Sequence, residues 1–562
     1  IRWPKMMRWG DGSHSWIRPV HSVVSVFDRQ ALPIRIFGID SGMSTRGHRI
    51  LSPGKVEVHS FDDYVQKLGA AHVVVDASER ERMMKQRARG LAEQVGGEPA
   101  TDATIWDQWR YLSEFPGLIR AEFDEALLTL PDEVLVTVMR VHQKQLPVVR
   151  GQTLTNSFLA VMDQVDDPEG NIASGNSFVT NARFADARFF YETDRRRTLE
   201  DRLPDLAHLQ FQEKLGNYRD KTNRIVAISA SLAEGSGLNS AREDLLTAAR
   251  LCKTDLMTEM VKEFTELQGK IGGIYAREEG MAEPVWTAIC DHYLPAGAAD
   301  PLPRSAVGAL VSLSDRIDTL AGFFLVGLKP TGSRDPFALR RAAQGAVQIL
   351  ANRADWEIPL NVEQLVDAGL AQYHPDGAAL QKARSELLDF LAERVKNLFE
   401  GQPFSFAYDE VASAMAVGWM NSLTDLHDRI VALRAVRNAP DFLSLLDSAR
   451  RIANITAGAS PAAFRRDLLQ DPAEKRLADL ADLAGEQIDE LVAGNHYQAA
   501  LESFSGLAPE LEHFFEKVMV VVDDAAVRDN RMALLRQVGT AVRKIADVTK
   551  IVVDRSNYTR EK

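Results

Sequence analysis

Cysteine is scarce in this sequence: Cys252 and Cys290 are the only two among 562 residues. Two cysteines exclude a disulfide framework and a four-cysteine zinc site, and they fit a reducing compartment. Long apolar runs are missing as well, since no stretch approaches the roughly 20 apolar residues of a membrane helix. The first ten residues contain no apolar core of a secretory signal. We therefore expect a soluble, cytoplasmic protein without a membrane partner.

An excess of positive charge is missing too. The formal net charge is −13 and the isoelectric point is near 5.5, which argues against a generally basic protein that coats nucleic acid, and we expect no DNA partner. Net charge does not exclude a local basic face, so RNA binding stays open. The sequence also lacks an initiator methionine, because it begins at Ile1, and we expect an N-terminal part to be missing.

A nucleotide-binding P-loop is excluded on chemical grounds. Gly327 and Gly332 have the spacing of such a loop, but Ser333 and Arg334 follow where Lys and then Ser or Thr are required. This stretch therefore needs another explanation.

The patterns that are present change along the chain. From Trp16 to about Ala77, short β-branched runs between Gly, Pro and Ser predict an antiparallel or mixed sheet. Helical patterns follow over 77–96 and 123–145, and after Asn176 apolar residues at spacings of three and four predict long helices. The stretch 458–461, Gly-Ala-Ser-Pro, is the clearest internal breaker. The length predicts several domains, and the fold class is α+β, predominantly α.

The most distinctive stretch is a polar loop that leads into a predicted helix, GLKPTGSRDPFALRR over 327–341. Asp335 is the predicted N-cap and Pro336 the first helical residue. Free backbone N–H groups near guanidinium groups suit an RNA phosphate or an acidic side chain of a partner. The candidate contacts are Lys329, Arg334, Arg340 and Arg341.

A second basic cluster follows a helix pattern over 182–190, in which Ala182, Ala185, Phe189 and Phe190 have the spacing of a packed face. The run 195–197 is the densest basic run in the chain. Taken alone, it leaves open a solvated face or an RNA contact, for which Arg195 and Arg196 are the candidates.

The last segment combines a predicted core with polar positions on successive helical turns. Its core residues are predicted to be Phe514, Phe515, Val518 and Met519. Its polar positions supply donors for phosphates and bases, as RNA recognition requires, or form an ordinary basic helix. The candidate contacts are Arg528, Asn530, Arg531, Arg536 and Arg543.

The motif KPTGSRDPFALRRAAQG resembles the signature of the beta subunit of bacterial glycyl-tRNA synthetase, the type built from separate alpha and beta chains. WPKMMRWG, STRGHR and ARFADARFFYETDRRRTLEDRLPDLAHLQFQEKLGNYRDKTNRI resemble the same family, and the similar stretches span almost the whole chain. The resemblance implies four domains. They are a mixed α/β domain over 1–175, similar to the editing-type fold of the phenylalanyl-tRNA synthetase beta chain, a helical HD-like domain over 176–350, a helical body or linker over 351–460, and a helical anticodon-binding domain over 461–562.

The implied HD-like domain raises the question of a metal. Hydrolases of that type hold a metal with a His, a His-Asp pair and a distant Asp. Here the pair reads Asp291-His292, in the opposite order, and no upstream His stands in position. The remaining acidic candidates are Asp255, Asp315 and Asp318. We expect no metal, and a carboxylate of the pair Asp315 and Asp318 is expected to form a salt bridge with Arg316 or Lys253 instead.

The resemblance implies a subunit without a catalytic residue or cofactor of its own. The sequence agrees, since it contains no HIGH- or KMSKS-like motif and no convincing class II arginine signature. A separate alpha subunit would use ATP and Mg²⁺ to activate glycine, while this chain holds tRNA(Gly) by its acceptor end and anticodon in an assembly of two alpha and two beta chains. The alternatives are an autonomous HD-type, metal-dependent phosphohydrolase and an RNA-binding or assembly protein without a synthetase partner.

Overall fold

The computed structural model describes residues 3–553 except 4, 11, 237–238, 333, 353–355, 357, 359, 375, 440–441 and 458–461. The breaker predicted at 458–461 therefore lies outside the described residues. Helices dominate and the sheets are small, so the prediction of a mainly helical α+β chain is confirmed at that level. Among the described helices, none combines the length and the apolar character needed to cross a membrane.

The strands are short. In chain order they are β1 (Met7–Arg8), β2 (Ser15–Trp16), β3 (Val23–Val24), β4 (Val26–Phe27), β5 (Gln30–Ala31), β6 (Arg35–Ile36), β7 (Ile39–Gly42), β8 (Ser44–Arg46), β9 (Lys55–Glu57), β10 (Glu98–Pro99), β11 (Gly117–Glu122), β12 (Leu146–Arg150), β13 (Thr153–Met162), β14 (Gln210–Gln212) and β15 (Gly216–Asn217).

The α-helices carry most of the chain. In order they are α1 (Phe61–Ala70), α2 (Ala77–Glu93), α3 (Ala103–Trp109), α4 (Asp132–Thr137), α5 (Asn171–Asp194), α6 (Leu199–Arg202), α7 (Tyr218–Ser236), α8 (Arg242–Leu251), α9 (Glu259–Glu263), α10 (Lys270–Glu278), α11 (Glu283–Asp291), α12 (Ala306–Leu325), α13 (Leu339–Ala351), α14 (Val362–Ala371), α15 (Gly377–Glu400), α16 (Tyr408–Met415), α17 (Leu423–Val436), α18 (Phe442–Thr456), α19 (Pro472–Ala493), α20 (Tyr497–Ser505), α21 (Ala508–Lys517) and α22 (Ala525–Arg543).

The chain divides into two compact units. Unit 1 comprises Ile1–Arg197 and Thr258–Ile271, and unit 2 comprises Thr198–Met257 and Gly272–Lys562. The division into four domains stays a prediction.

Unit 1 is built on a four-stranded antiparallel sheet in the order β10-β12-β13-β11. Helix α2, predicted from its pattern, packs on this sheet and buries Met84, Ala88 and Ala92. Trp109 belongs to the same core, and its indole N–H donates to the carbonyl of Lys144 at 2.7 Å.

The sequence did not predict this sheet. Instead of the single sheet expected before Ala77, strands β1 to β9 form several small sheets, because turns interrupt them after two to four residues.

Helix α5 buries a different face from the one predicted. Thr180, Phe184, Ala187 and Tyr191 are buried, and Phe184 meets the ring of Phe123 at 4.8 Å between centroids. The prediction that the face with Ala182, Ala185 and Phe189 is packed is wrong, since these three side chains are exposed. The helix carries apolar residues on two sides, and β11 and α9 cover only one of them.

Unit 2 is organised around α12, which is buried along almost its whole length. Helix α12 is surrounded by α7, α8, α11, α13, α14 and α15, so its charged residues at 315, 316 and 318 are buried together with its apolar ones. The C-terminal helices form a bundle in which α18 packs on α21 and α22, and α19 packs on α20, α21 and α22. Phe514 and Val518 are buried there as predicted, whereas the prediction for Met519 is wrong because its side chain is exposed.

Candidate nucleic-acid interface

The loop before α13 forms a small hairpin. Thr331 and Arg334 exchange backbone hydrogen bonds of 3.1 and 2.9 Å, and Gly332 between them has a φ of +51°, a conformation that favours glycine. The Arg340 guanidinium donates to the carbonyl of Gly332 at 2.6 Å. This bond ties the hairpin to the first turn of α13.

The predicted start of α13 is wrong by three residues. The backbone N–H of Ala338 donates to the carbonyl of Asp335 at 3.2 Å, and Ala338 has a left-handed φ of +54°, so Pro336 lies in a turn before the helix. The Asp335 carboxylate nevertheless accepts from the backbone N–H groups of Leu339 and Arg340, both at 2.9 Å. Asp335 therefore satisfies two free donors of the helix end from outside it.

The four basic side chains predicted at this loop differ in what they contact. Lys329 forms an ion pair of 2.5 Å with Glu386, and Arg340 is engaged with the loop itself. Arg334 and Arg341 are exposed, and their guanidinium groups have no hydrogen bond or ion pair within the part of the chain that the structure describes. These two are the loop side chains best placed to receive a phosphate.

Arg195 and Arg196 follow the C-terminal end of α5 and are exposed. The Arg195 guanidinium lies over the ring of Tyr191, 5.4 Å from its centroid. Both belong to unit 1, whereas the loop before α13 belongs to unit 2. Their contact with RNA stays a prediction.

Two of the acidic residues considered for a metal, Asp315 and Asp318, lie in a buried network of ion pairs. Lys253 Nζ donates to Asp315 at 2.7 Å, which confirms the predicted salt bridge, and to His292 Nε2 at 3.0 Å. Lys221 Nζ contacts Asp315 at 2.8 Å and Asp318 at 3.0 Å. Arg316 does not take part, because its guanidinium donates instead to backbone carbonyls at positions 293 and 295.

The protonation of this network follows from its burial and charges. Burial lowers the pKa of His292 to about 3, and the Lys253 ammonium adds to the effect. His292 is therefore neutral, with the Nδ1–H donating to the carbonyl of Ile289 at 2.7 Å and Nε2 accepting from Lys253. Burial alone raises the pKa of Asp315, but Lys221 and Lys253 outweigh it and hold that pKa well below its usual range.

The same network accounts for the carboxylates without a metal. Lys221 and Lys253 supply the positive charge at Asp315. Lys221 and Arg224 supply it at Asp318, and a Lys253 proton occupies the free nitrogen of His292. Among the described residues, no group of three or more His, Cys, Asp or Glu side chains is arranged to hold a metal ion. The arrangement is that of an internal salt-bridge cluster.

Two of the residues predicted to face RNA on α22 are buried instead, and their predicted exposure is wrong. Asn530 bonds the backbone of Arg465 in both directions, accepting from its N–H at 2.7 Å and donating to its carbonyl at 3.0 Å. The Arg531 guanidinium pairs with buried Glu474 and donates to the carbonyl of Met519 at 2.9 Å. These polar side chains fasten α22 to neighbouring segments.

The other three arginines of α22 stay near the surface. Arg528 is half-buried and pairs with Asp529 at 3.2 Å, whereas Arg543 is exposed and has no side-chain partner among the described residues. Arg536 and Arg543 both line a cavity of about 450 Å³. Its apolar wall and its hydroxyl groups come from α18, α20, α22 and the segment after α22, including Ile452, Thr456, Phe504, Thr540, Val542 and Thr549.

A glycine inside α22 is the sequence feature that marks this cavity. Gly539 lies inside α22, where glycine is unfavourable by roughly 1 kcal/mol relative to alanine. A Cβ atom built there would lie 3.1 Å from Ile452 Cγ2, so glycine allows α18 and α22 to approach closely beside the cavity. The cavity side chains on α18 and α20 belong to helices distant in sequence, and no local pattern identifies them.

Comparison with known proteins gives matches along nearly the whole chain. A family model described as "Glycyl-tRNA synthetase beta subunit" matches residues 1–416, and one described as "DALR anticodon binding domain" matches residues 445–553. The chain is 38% identical over 558 residues to a protein of Anaeromyxobacter dehalogenans named "Glycine–tRNA ligase beta subunit", covering 98% of this chain and 79% of that protein. Proteins of the same name from Clostridioides difficile and Neisseria gonorrhoeae are each 35% identical, over 98% and 97% of this chain and 79% and 78% of their own lengths.

Proposed function

Because this chain belongs to the family of glycyl-tRNA synthetase beta subunits, we propose that it is the tRNA-recognition subunit of glycine–tRNA ligase. In this role it holds tRNA(Gly) by the acceptor end and the anticodon, while a separate alpha subunit activates glycine with ATP and Mg²⁺. Two alpha and two beta chains form the enzyme, in the cytoplasm where tRNA is charged. The chain itself binds no cofactor.

The observation that carries the anticodon assignment is the cavity flanked by Arg536 and Arg543. It lies within the segment that matches an anticodon-binding domain. RNA loops are recognised through unstacked bases that enter pockets while cations hold the neighbouring phosphates. An apolar cavity with hydroxyl groups and arginines at one site suits a base of the anticodon loop in this way.

The acceptor end requires a second contact, for which Arg334 and Arg341 are the candidates. Arg334 is exposed on the hairpin that Arg340 ties to α13. Arg341 is exposed on the first turn of α13, which the Asp335 carboxylate caps. Orienting the terminal adenosine against glycyl-adenylate removes an entropic barrier and needs no general base from this chain. The contribution of the chain to the rate is therefore positioning.

The alternative of an HD-type phosphohydrolase is disfavoured by the buried lysines. A divalent cation at Asp315 and His292 would have to displace Lys253 from both, and Lys221 would remain beside it. Two ammonium groups at the same carboxylate repel a cation. The other alternative is an RNA-binding or assembly protein without a synthetase partner. It predicts that adding this chain to the alpha subunit produces no charging of tRNA(Gly).

The test is charging of tRNA(Gly) with glycine by this chain alone, by the alpha subunit alone and by the mixture. We expect the mixture to be active and either chain alone to be inactive. The metal content and phosphatase activity of the purified chain are measured alongside. If the mixture stays inactive although the chain binds both the alpha subunit and tRNA, positioning is not its role. A stoichiometric metal with phosphatase activity would favour the hydrolase.

A further inference from the structure

Helix α5 carries two apolar faces on opposite sides. One face packs into unit 1 through Phe184, Ala187 and Tyr191. On the other side lies a group of exposed residues, which we call the α5 stripe: Phe178, Ala182, Ala185 and Phe189. Phe178 is 77% exposed and Phe189 is 63% exposed. Single exposed apolar residues are common, but a contiguous row on one helix face indicates an interaction site.

The spacing of the stripe indicates what it contacts. Its members follow one another at four, three and four residues, the spacing at which one helix presents a continuous seam to another. Two alanines between two phenylalanines leave a shallow recess that lets a second backbone approach, while each phenylalanine projects as a knob. A partner helix can fill that recess.

The charges beside the stripe favour a protein over RNA. By helical geometry, Arg188 lies on one flank and Asp186 on the other, and Glu192 lies near the C-terminal end of the stripe. All three side chains are exposed. A polyphosphate would be repelled by the two carboxylates, whereas a partner helix with charges of both signs can complement this pattern.

We propose that the α5 stripe is the docking surface for a helix of the alpha subunit. The proposal rests on the proposed function, because the partnership with an alpha subunit comes from there. Burying Phe178 and Phe189 in the complex would remove from water two of the most exposed apolar side chains of unit 1. Aromatic residues in such positions carry a large share of binding energy at protein interfaces.

The test compares a double variant, Phe178→Asp with Phe189→Asp, against the control Phe61→Asp. Phe61 is also in unit 1, on helix α1, and is 74% exposed, so the control makes one substitution of the same kind at similar exposure. We expect the Kd for the alpha subunit to rise by roughly 30-fold or more for each phenylalanine, and the control to bind as the wild type does. Glycine charging should fall at low alpha concentration and recover when alpha is in excess. Unchanged thermal unfolding shows that both variants fold.

The other outcomes separate the two proposals. Unchanged affinity of the double variant for alpha, with wild-type binding intact, overturns the stripe assignment and leaves the proposed function standing. Loss of tRNA binding with alpha binding intact assigns the stripe to RNA, and loss of self-association alone assigns it to a second copy of this chain. Both results overturn the proposal. If the wild type does not bind the alpha subunit at all, the proposed function is contradicted, and the stripe assignment that rests on it is contradicted as well.

Discussion

Arg531 and Arg543 lie on the same helix and look equivalent in the sequence, but their surroundings differ. Arg531 is buried against Glu474, which also accepts hydrogen bonds from the backbone N–H groups at 470 and 471. Arg543 is exposed beside the cavity. A buried guanidinium has to be paired, whereas an exposed one is available to a ligand. The two residues therefore give opposite predictions for stability and for tRNA binding.

Replacing Arg531 by Met should destabilise the protein. The substitution leaves the buried Glu474 carboxylate without its cation, which costs about 3–5 kcal/mol. Urea unfolding measures the change, and the double variant with Glu474→Gln should recover a large part of it, because the uncompensated charge is then removed. A loss of tRNA binding without a loss of stability would contradict the structural role.

Replacing Arg543 by Ala should weaken tRNA binding and leave stability within about 0.5 kcal/mol. If the guanidinium contacts one phosphate, the slope of log Kobs against log salt should become shallower by about 0.7–0.9. The control is Lys475→Ala, which removes an exposed cation on α19 that does not line the cavity. Equal salt slopes for wild type and Arg543→Ala would remove this residue from the interface.

His292 should make stability depend on pH. Its pKa is about 3 in the folded protein and near 6.5 when unfolded, so the unfolded chain binds the additional proton between these values. The contribution of this residue to stability is fully present above about pH 6.5 and is lost as the pH falls towards 3. The free energy of unfolding should fall by about 2 kcal/mol between pH 7.5 and pH 5 from this residue.

The variant His292→Gln lacks this titration and should lose less stability than the wild type over the same range. The measurement is urea unfolding at several pH values, since other groups titrate equally in both proteins. Parallel curves for the two proteins would mean that the pKa of His292 is the same in the folded and unfolded states.

At the scale of elements, α13 shows how a helix can be capped from a turn outside it. The Asp335 carboxylate reaches across the turn at 336–338 to two N–H groups of the first helical turn. Asp335→Ala should therefore destabilise the protein by about 1 kcal/mol, as the loss of an N-cap does. Asp335→Asn keeps an acceptor oxygen and should lose less. Urea unfolding of the two variants measures the loss of stability in each. Equal losses would show that the side-chain amide oxygen of Asn does not replace the Asp335 carboxylate as a cap.

At the scale of the whole molecule, each of the two compact units has its own core. Leu159 belongs to the core of unit 1 and Ile317 to that of unit 2, and both are fully buried. Chains with several units often unfold in more than one step. We expect Leu159→Ala and Ile317→Ala each to weaken a different calorimetric transition, by about 2–5 kcal/mol. A single transition shifted equally by both variants would contradict this expectation.

The sequence by itself determined the family, the mainly helical character and helix α2, and it limited the expected salt-bridge partner of Asp315 or Asp318 to Arg316 or Lys253. The family and the helices can be recognised from motifs and from local periodicity. Neither requires knowledge of which residues lie close together in the folded protein. The choice between Arg316 and Lys253 was left to the structure, because the salt bridge of Lys253 with Asp315 joins residues that are 62 positions apart.

Only the tertiary structure decided which apolar side of α5 is buried and which arginines of α22 are accessible. Periodicity identifies the faces of a helix but not the element that covers each face, and α5 has an apolar row on both sides. The depth of Arg531 depends on Glu474, 57 residues away in sequence. The cavity beside Arg543 likewise exists only where α18, α20 and α22 meet, because each helix supplies one wall and none of them encloses the space alone.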